Sequence, residues 1–101
     1  MISSFGDTKT EKFYRTREHK ILKKLGLINR AIIILDVMDT VDNLADLKNG
    51  CFPPDVRGHK LKGEYENFWA IDINKLLGVR VIFKLEKNLF EYVTIIDYHK
   101  G

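Results

Sequence analysis

The hydrophobic pattern changes period once along this chain, and that change limits the folds open to it. Before residue 40 the apolar groups recur every three or four positions. Ile21, Leu25, Ile28, Ile32, Leu35 and Met38 align as one buried helical face, with Gly26 as the place where a helix over this stretch would break. Ahead of it, residues 8–17 read as another helix with Phe13 and Tyr14 turned inward, and "ISSF" (residues 2–5) reads as a short first strand. "VDNLADL" (41–47) reads as one more helical turn, and "KNGCFPPDVRG" (48–58) as a loop, because Pro53 and Pro54 cannot continue a helix. After the loop the period becomes two. Trp69, Ile71 and Ile73 alternate with Phe68, Ala70 and Asp72; Val79, Val81, Phe83 and Leu85 alternate with Arg80, Ile82, Lys84 and Glu86; and "LFEYVTIID" (89–97) follows a tight turn at Lys87 and Asn88. Helices followed by antiparallel strands make an α+β domain, with the helices covering one sheet face and the other left as a concave working surface.

At 101 residues the chain supports one core, so residues 1–101 are expected to be a single domain. The 45% hydrophobic content excludes a disordered or fibrous class. The longest aliphatic run, "AIIIL" (31–35), is far too short for a bilayer, and "MISSFGDTKT" lacks the layout of a signal peptide, so no membrane partner and a cytoplasmic location are expected. The single cysteine, Cys51, cannot form an internal disulfide or a thiolate metal cluster, and reads as a small packing residue.

Charge is uneven. The net value is +3, yet residues 1–35 carry eight Lys/Arg against three Asp/Glu, while residues 36–50 carry one against four. Lys9, Lys12, Lys20, Lys23 and Lys24, joined by Arg57 further on, are candidates for contact with a phosphate backbone. The ordinary alternative is a solvated helix surface.

Three short stretches carry residues suited to chemistry. Alternation sends Arg80 away from Val79 and Val81 to the face opposite the helices, where it serves either as a fork of donors for a phosphate or as a partner for Asp72. "RGHKLKG" (57–63) holds His59 and Lys62, which share a face only if the backbone turns between them. The chain closes on "VTIIDYHKG", where Asp97, Tyr98 and His99 place three proton-handling groups directly after a hydrophobic strand, although chain ends usually fray.

"VRGHKLKGEYENFWAIDI", "VRVIFKL" and the terminal "IIDYH", together with the opening "MISSF", resemble the HigB, or plasmid-maintenance-killer, toxins of the RelE superfamily. The resemblance spans nearly the whole chain and rests on four segments in the same order. It implies a RelE-like microbial-ribonuclease fold and a ribosome-dependent endoribonuclease, the toxin half of a type II toxin–antitoxin pair, which cuts messenger RNA in the decoding site. It further implies a HigA-like helix-turn-helix antitoxin as partner, operator DNA reached only through that antitoxin, and no metal or other cofactor. By position, the catalytic set falls on His59, Lys62, Arg80, Asp97, Tyr98 and His99. These types suit attack of a ribose 2′-hydroxyl on the adjacent phosphate: cations for the phosphorane, and histidines, titrating near neutrality, for the proton transfers.

One departure stands out. "NKLLGVR" (74–80) is about two residues longer than the family pattern and has Val79 where an aromatic usually precedes the arginine, which puts Leu76 and Leu77 in an extended, exposed hairpin. Two other functions are compatible with the pattern: a ParE-like inhibitor of DNA gyrase, which would not need the Lys, Arg, Tyr and His set, and a noncatalytic RNA-binding domain, which would be indifferent to loss of His59 or His99.

Overall fold

The computed structural model describes residues 1–40, 58–60, 68–86 and 89–97, with residues 58–60 described in their backbone. The expected helical turn at 41–47, the Pro53–Pro54 loop, Cys51 and the Lys87–Asn88 turn lie outside the described residues. Three helices come first: α1 (Thr8–Thr16), α2 (Lys20–Leu25) and α3 (Ile28–Thr40). Four strands follow: β1 (Gly58–Lys60), β2 (Trp69–Asn74), β3 (Val79–Glu86) and β4 (Leu89–Asp97), ordered β1-β2-β3-β4 in one sheet with every pairing antiparallel. The expected first strand is a short parallel addition to the β4 edge, with bridges Ile2–Phe90 and Phe5–Val93. It approaches closely enough that a Cβ on Gly6 would lie 1.9 Å from Thr94 Oγ1 and 2.9 Å from the Tyr92 carbonyl oxygen. Only glycine fits there without displacing the strand.

The helices begin and end where side chains satisfy their open backbone groups. Asp7 caps α1, accepting a hydrogen bond from the Thr10 amide at 2.8 Å. α2 is capped by a histidine: His19 Nδ1 accepts from the Leu22 amide at 3.1 Å, and its ring stands edge-on to Phe13 at 5.6 Å. Gly26 closes α2 in the left-handed region (φ 71°), where glycine carries no Cβ penalty, and α3 starts in a new phase. The break falls at Gly26 as expected, and the new phase corrects which residues form the buried face. The buried positions are Leu22, Leu27, Ala31, Ile34, Leu35 and Met38, whereas Leu25, Ile28 and Ile32 pack at the margin and Ile21 is half-buried.

Across from these helices the sheet contributes Ile71, Ile73, Val79, Val81, Phe83 and Val93, all buried, as the alternation predicts. Phe13 joins them, and Phe83 meets Phe90 edge-on at 5.0 Å. Arg30 donates from Nε to the Ile73 carbonyl and ties α3 to β2. Asp39 ties α3 to both α1 and the N-terminal segment, accepting from the Tyr14 hydroxyl at 3.2 Å and from the Ile2 amide at 3.1 Å. Burial, and then the nearby Asp39 and Asp36 carboxylates, push the Tyr14 phenol up to about 12.

The His19 cap carries a pH dependence. Its pKa is lowered, first by burial and then by Lys9, against the opposing pull of Asp7 and Asp97. The unfolded chain therefore takes up the proton more readily than the folded one, so this contribution to stability is full above the ordinary histidine pKa of about 6.5 and declines as pH falls through it. Protonation also removes the lone pair that caps the helix. Urea denaturation at pH 7.5 and 5.5 should show a stability loss on acidification that is smaller in His19→Asn, which keeps an acceptor but does not titrate; equal losses would place the pH dependence elsewhere.

Candidate functional site

Of the residues singled out in the sequence, Asp72 and Arg80 lie on the sheet face turned away from α1–α3. Its backbone register aligns them in rows. Asp72, Arg80 and Ile96 form one row across β2, β3 and β4, and His59, Ala70, Ile82 and Thr94 form another, two residues along, across all four strands. The two rows share parity, so His59 occupies a position of Arg80's parity, two strands away and about 12 Å distant between backbones by ordinary sheet spacings. The centre of this face is not the open surface that alternation alone suggests, because Ala70 and Ile82 are buried.

Arg80 Nε lies 3.6 Å from Asp72 Oδ1, and the two side chains are only 26% and 23% exposed. The carboxylate expected as an alternative partner is therefore present on the adjoining strand, and the ion pair it makes with Arg80 is about three-quarters buried. A planar guanidinium on this face is the type of group that suits a phosphate, because its donors form a fork.

Asp97 is placed differently from Arg80. Its register partner is Val79, whose side chain is buried on the helix side, and its charge acts on His19 at the start of α2. Asp97 thus has the opposite parity to Arg80. Lys62, Arg57, Tyr98 and His99 lie outside the described residues, and for His59 the structure gives the backbone position alone.

The lysines nominated for nucleic-acid contact are all exposed: Lys9 and Lys12 on α1, Lys20, Lys23 and Lys24 on α2. A cavity of about 490 Å³ is lined by Arg17, Glu18 and His19 of the α1–α2 connection, Lys20 and Lys23 of α2, and Ile28 at the start of α3. In the β2–β3 hairpin, Asn74 Oδ1 accepts from the Leu77 amide at 3.0 Å, which turns Leu77 back against the core margin. Only Leu76 of the two leucines projects, at 98% exposure, so the expectation that both would be exposed is corrected.

Two residues escaped the sequence reading. His19 gives no local signal, because histidine is an uncommon helix cap and sits here among charged neighbours in "REHKILKK". Tyr92 reads as an ordinary strand residue, yet its backbone is left-handed (φ 54°) at an irregularity in the β3–β4 register.

The family model for a RelE-like toxin of the type II toxin–antitoxin system HigB matches residues 3–99. The chain belongs to this HigB-like toxin family. It is accordingly a toxin of a type II toxin–antitoxin system, with an antitoxin as its counterpart, and the helices-then-antiparallel-sheet order is compatible with a RelE-like fold. No individual curated protein matches the chain. Among the described residues of this HigB-like toxin, no helix is long and apolar enough to cross a membrane.

Proposed function

We propose that this HigB-like toxin is a metal-independent endoribonuclease that cuts messenger RNA in the decoding site of the ribosome and so arrests translation in the cytoplasm. The observation that supports this reading best is the Arg80–Asp72 pair, a guanidinium held by a neighbouring carboxylate in a family of RelE-like toxins. In the proposed reaction the ribose 2′-oxygen attacks the adjacent phosphorus as a base takes its proton. The phosphorane charge rests on Arg80 and Lys62, and the P–O5′ bond breaks as an acid protonates the departing oxygen. His59 and His99 divide the two proton transfers, Tyr98 assists them, and Asp97 steadies the end of β4 from the helix side. The nucleophile belongs to the substrate, so the step needs only proton transfer and charge stabilisation.

The exposed lysines of α1 and α2, with Arg57, supply sequence-independent attraction to ribosomal RNA. The antitoxin is a HigA-like helix-turn-helix protein, and operator DNA is reached only through it.

The test uses purified toxin, messenger-programmed ribosomes and a messenger carrying a single 2′-deoxynucleotide at the cut position. The unmodified messenger should be cut to leave a 2′,3′-cyclic phosphate and a 5′-hydroxyl, and the deoxy substitution should abolish cutting at that bond. Cutting that survives it would rule out the 2′-hydroxyl as nucleophile. Inhibition of gyrase without any messenger cutting would replace this reading with the ParE-like one.

A further inference from the structure

On the same parity of β3 as Arg80, four residues along, Lys84 stands between two aromatic rings. Its Nζ lies 5.1 Å from the ring centroid of Phe68 and 5.7 Å from that of Tyr92. Tyr92 draws attention for two independent reasons. The residue is 51% exposed and stands outside the core, and its backbone occupies the left-handed region (φ 54°), which is unfavourable for a bulky side chain. The bend there is held by the N-terminal segment, with the Tyr92 amide donating to Ser4 Oγ at 2.9 Å and the Val93 amide to the Ser4 carbonyl at 3.1 Å. Asparagine or glycine would satisfy this bend without strain. A half-exposed tyrosine is what the backbone geometry does not require.

We propose that Tyr92, with Phe68 and Lys84, forms a stacking platform for a base of single-stranded RNA. Aromatic faces accept any base through its π surface, and Lys84 holds a place against both rings. The platform lies about 13 Å from Arg80 along β3 by ordinary strand rise, within reach of a short run of nucleotides leading to the phosphate held there. Glu91 stands directly opposite Lys84 in the β3–β4 register and offsets its charge. The platform's contribution is therefore carried by ring stacking and depends little on salt, in contrast to that of the helix lysines. The inference rests on the ribonuclease reading for the identity of its ligand as RNA.

The test is equilibrium binding, by fluorescence anisotropy, of a labelled single-stranded RNA dodecamer with every 2′-hydroxyl methylated, so that no cleavage intervenes. Purified wild type is compared with Tyr92→Asn, which tolerates the left-handed backbone, and with Tyr92→Phe, which keeps the ring. Tyr92→Asn should bind roughly tenfold more weakly, within the range for losing one base stack, with an unchanged salt slope and an undiminished melting temperature. Tyr92→Phe should bind within about twofold of wild type, since stacking on the ring does not need the hydroxyl. Wild-type affinity in Tyr92→Asn, or no RNA binding by the wild type, would overturn the platform. Tyr92-dependent binding together with an absence of cleavage on ribosomes would support the platform and remove the ribonuclease reading instead.

Discussion

Replacing Arg80 with alanine should slow messenger cleavage on ribosomes by roughly 10²-fold or more, the loss expected when one preorganised transition-state donor is removed. The structure refines how that experiment must be read. Because the Arg80 and Asp72 side chains are about three-quarters buried together, Arg80→Ala leaves the Asp72 carboxylate without its nearest guanidinium and should cost about 1–3 kcal/mol of stability. Two further variants separate folding from chemistry. Arg80→Ala combined with Asp72→Ala should recover part of the stability but none of the cleavage, and Arg80→Lys should keep a charge yet lose the fork and remain slow. Cleavage at the wild-type rate in any folded Arg80 variant would remove this residue from the reaction. An unfolded Arg80→Lys would show instead that the pair serves the fold.

The sheet was legible in the sequence because alternation encodes faces directly. Val79, Val81 and Phe83 are buried, and Arg80 and Lys84 take the other side, as period two requires. The helical face was less legible, since the pattern over residues 21–38 is satisfied by more than one phase, and the left-handed Gly26 lets the chain restart with Leu27 and then Ala31, Ile34 and Leu35 of α3 inward. The candidate site was legible in its cation and in the partner of that cation: both Arg80 and Asp72 follow from strand pairing. The side taken by Asp97 was also present in the alternation, since it shares parity with Val93 and Ile95. The Tyr92 bend was hidden. An irregularity between Ile82 and Lys84 in the pairing with β4 depends on where the N-terminal segment docks, and that contact joins residues 88 positions apart, Ser4 and Tyr92.

Ending the chain after Asp97 should abolish messenger cleavage while leaving a folded protein. All the paired positions of β4, from Leu89 opposite Glu86 to Asp97 opposite Val79, remain in the shortened chain, as does the core formed by Phe13, Phe83, Phe90 and Val93. Stability should fall by no more than about 1–2 kcal/mol, the range for most changes outside a core. What is lost is chemistry: Tyr98 and His99 follow directly on the residue whose register partner, Val79, is the chain neighbour of Arg80. Removing a positioned acid or base costs roughly 10²–10⁴-fold on its own, and the truncation removes one together with its neighbouring phenol. His99→Ala and Tyr98→Phe in the full-length chain distinguish loss of those groups from a general disturbance at the end of β4. If the loss is chemical, His99→Ala should approach the truncation in cleavage rate with a melting temperature close to wild type. The measurement is cutting of ribosome-bound messenger by each purified variant, with thermal melting alongside. A folded truncation that still cuts messenger RNA would strip Tyr98 and His99 of any part in the reaction and leave Arg80, Lys62 and His59 to account for it.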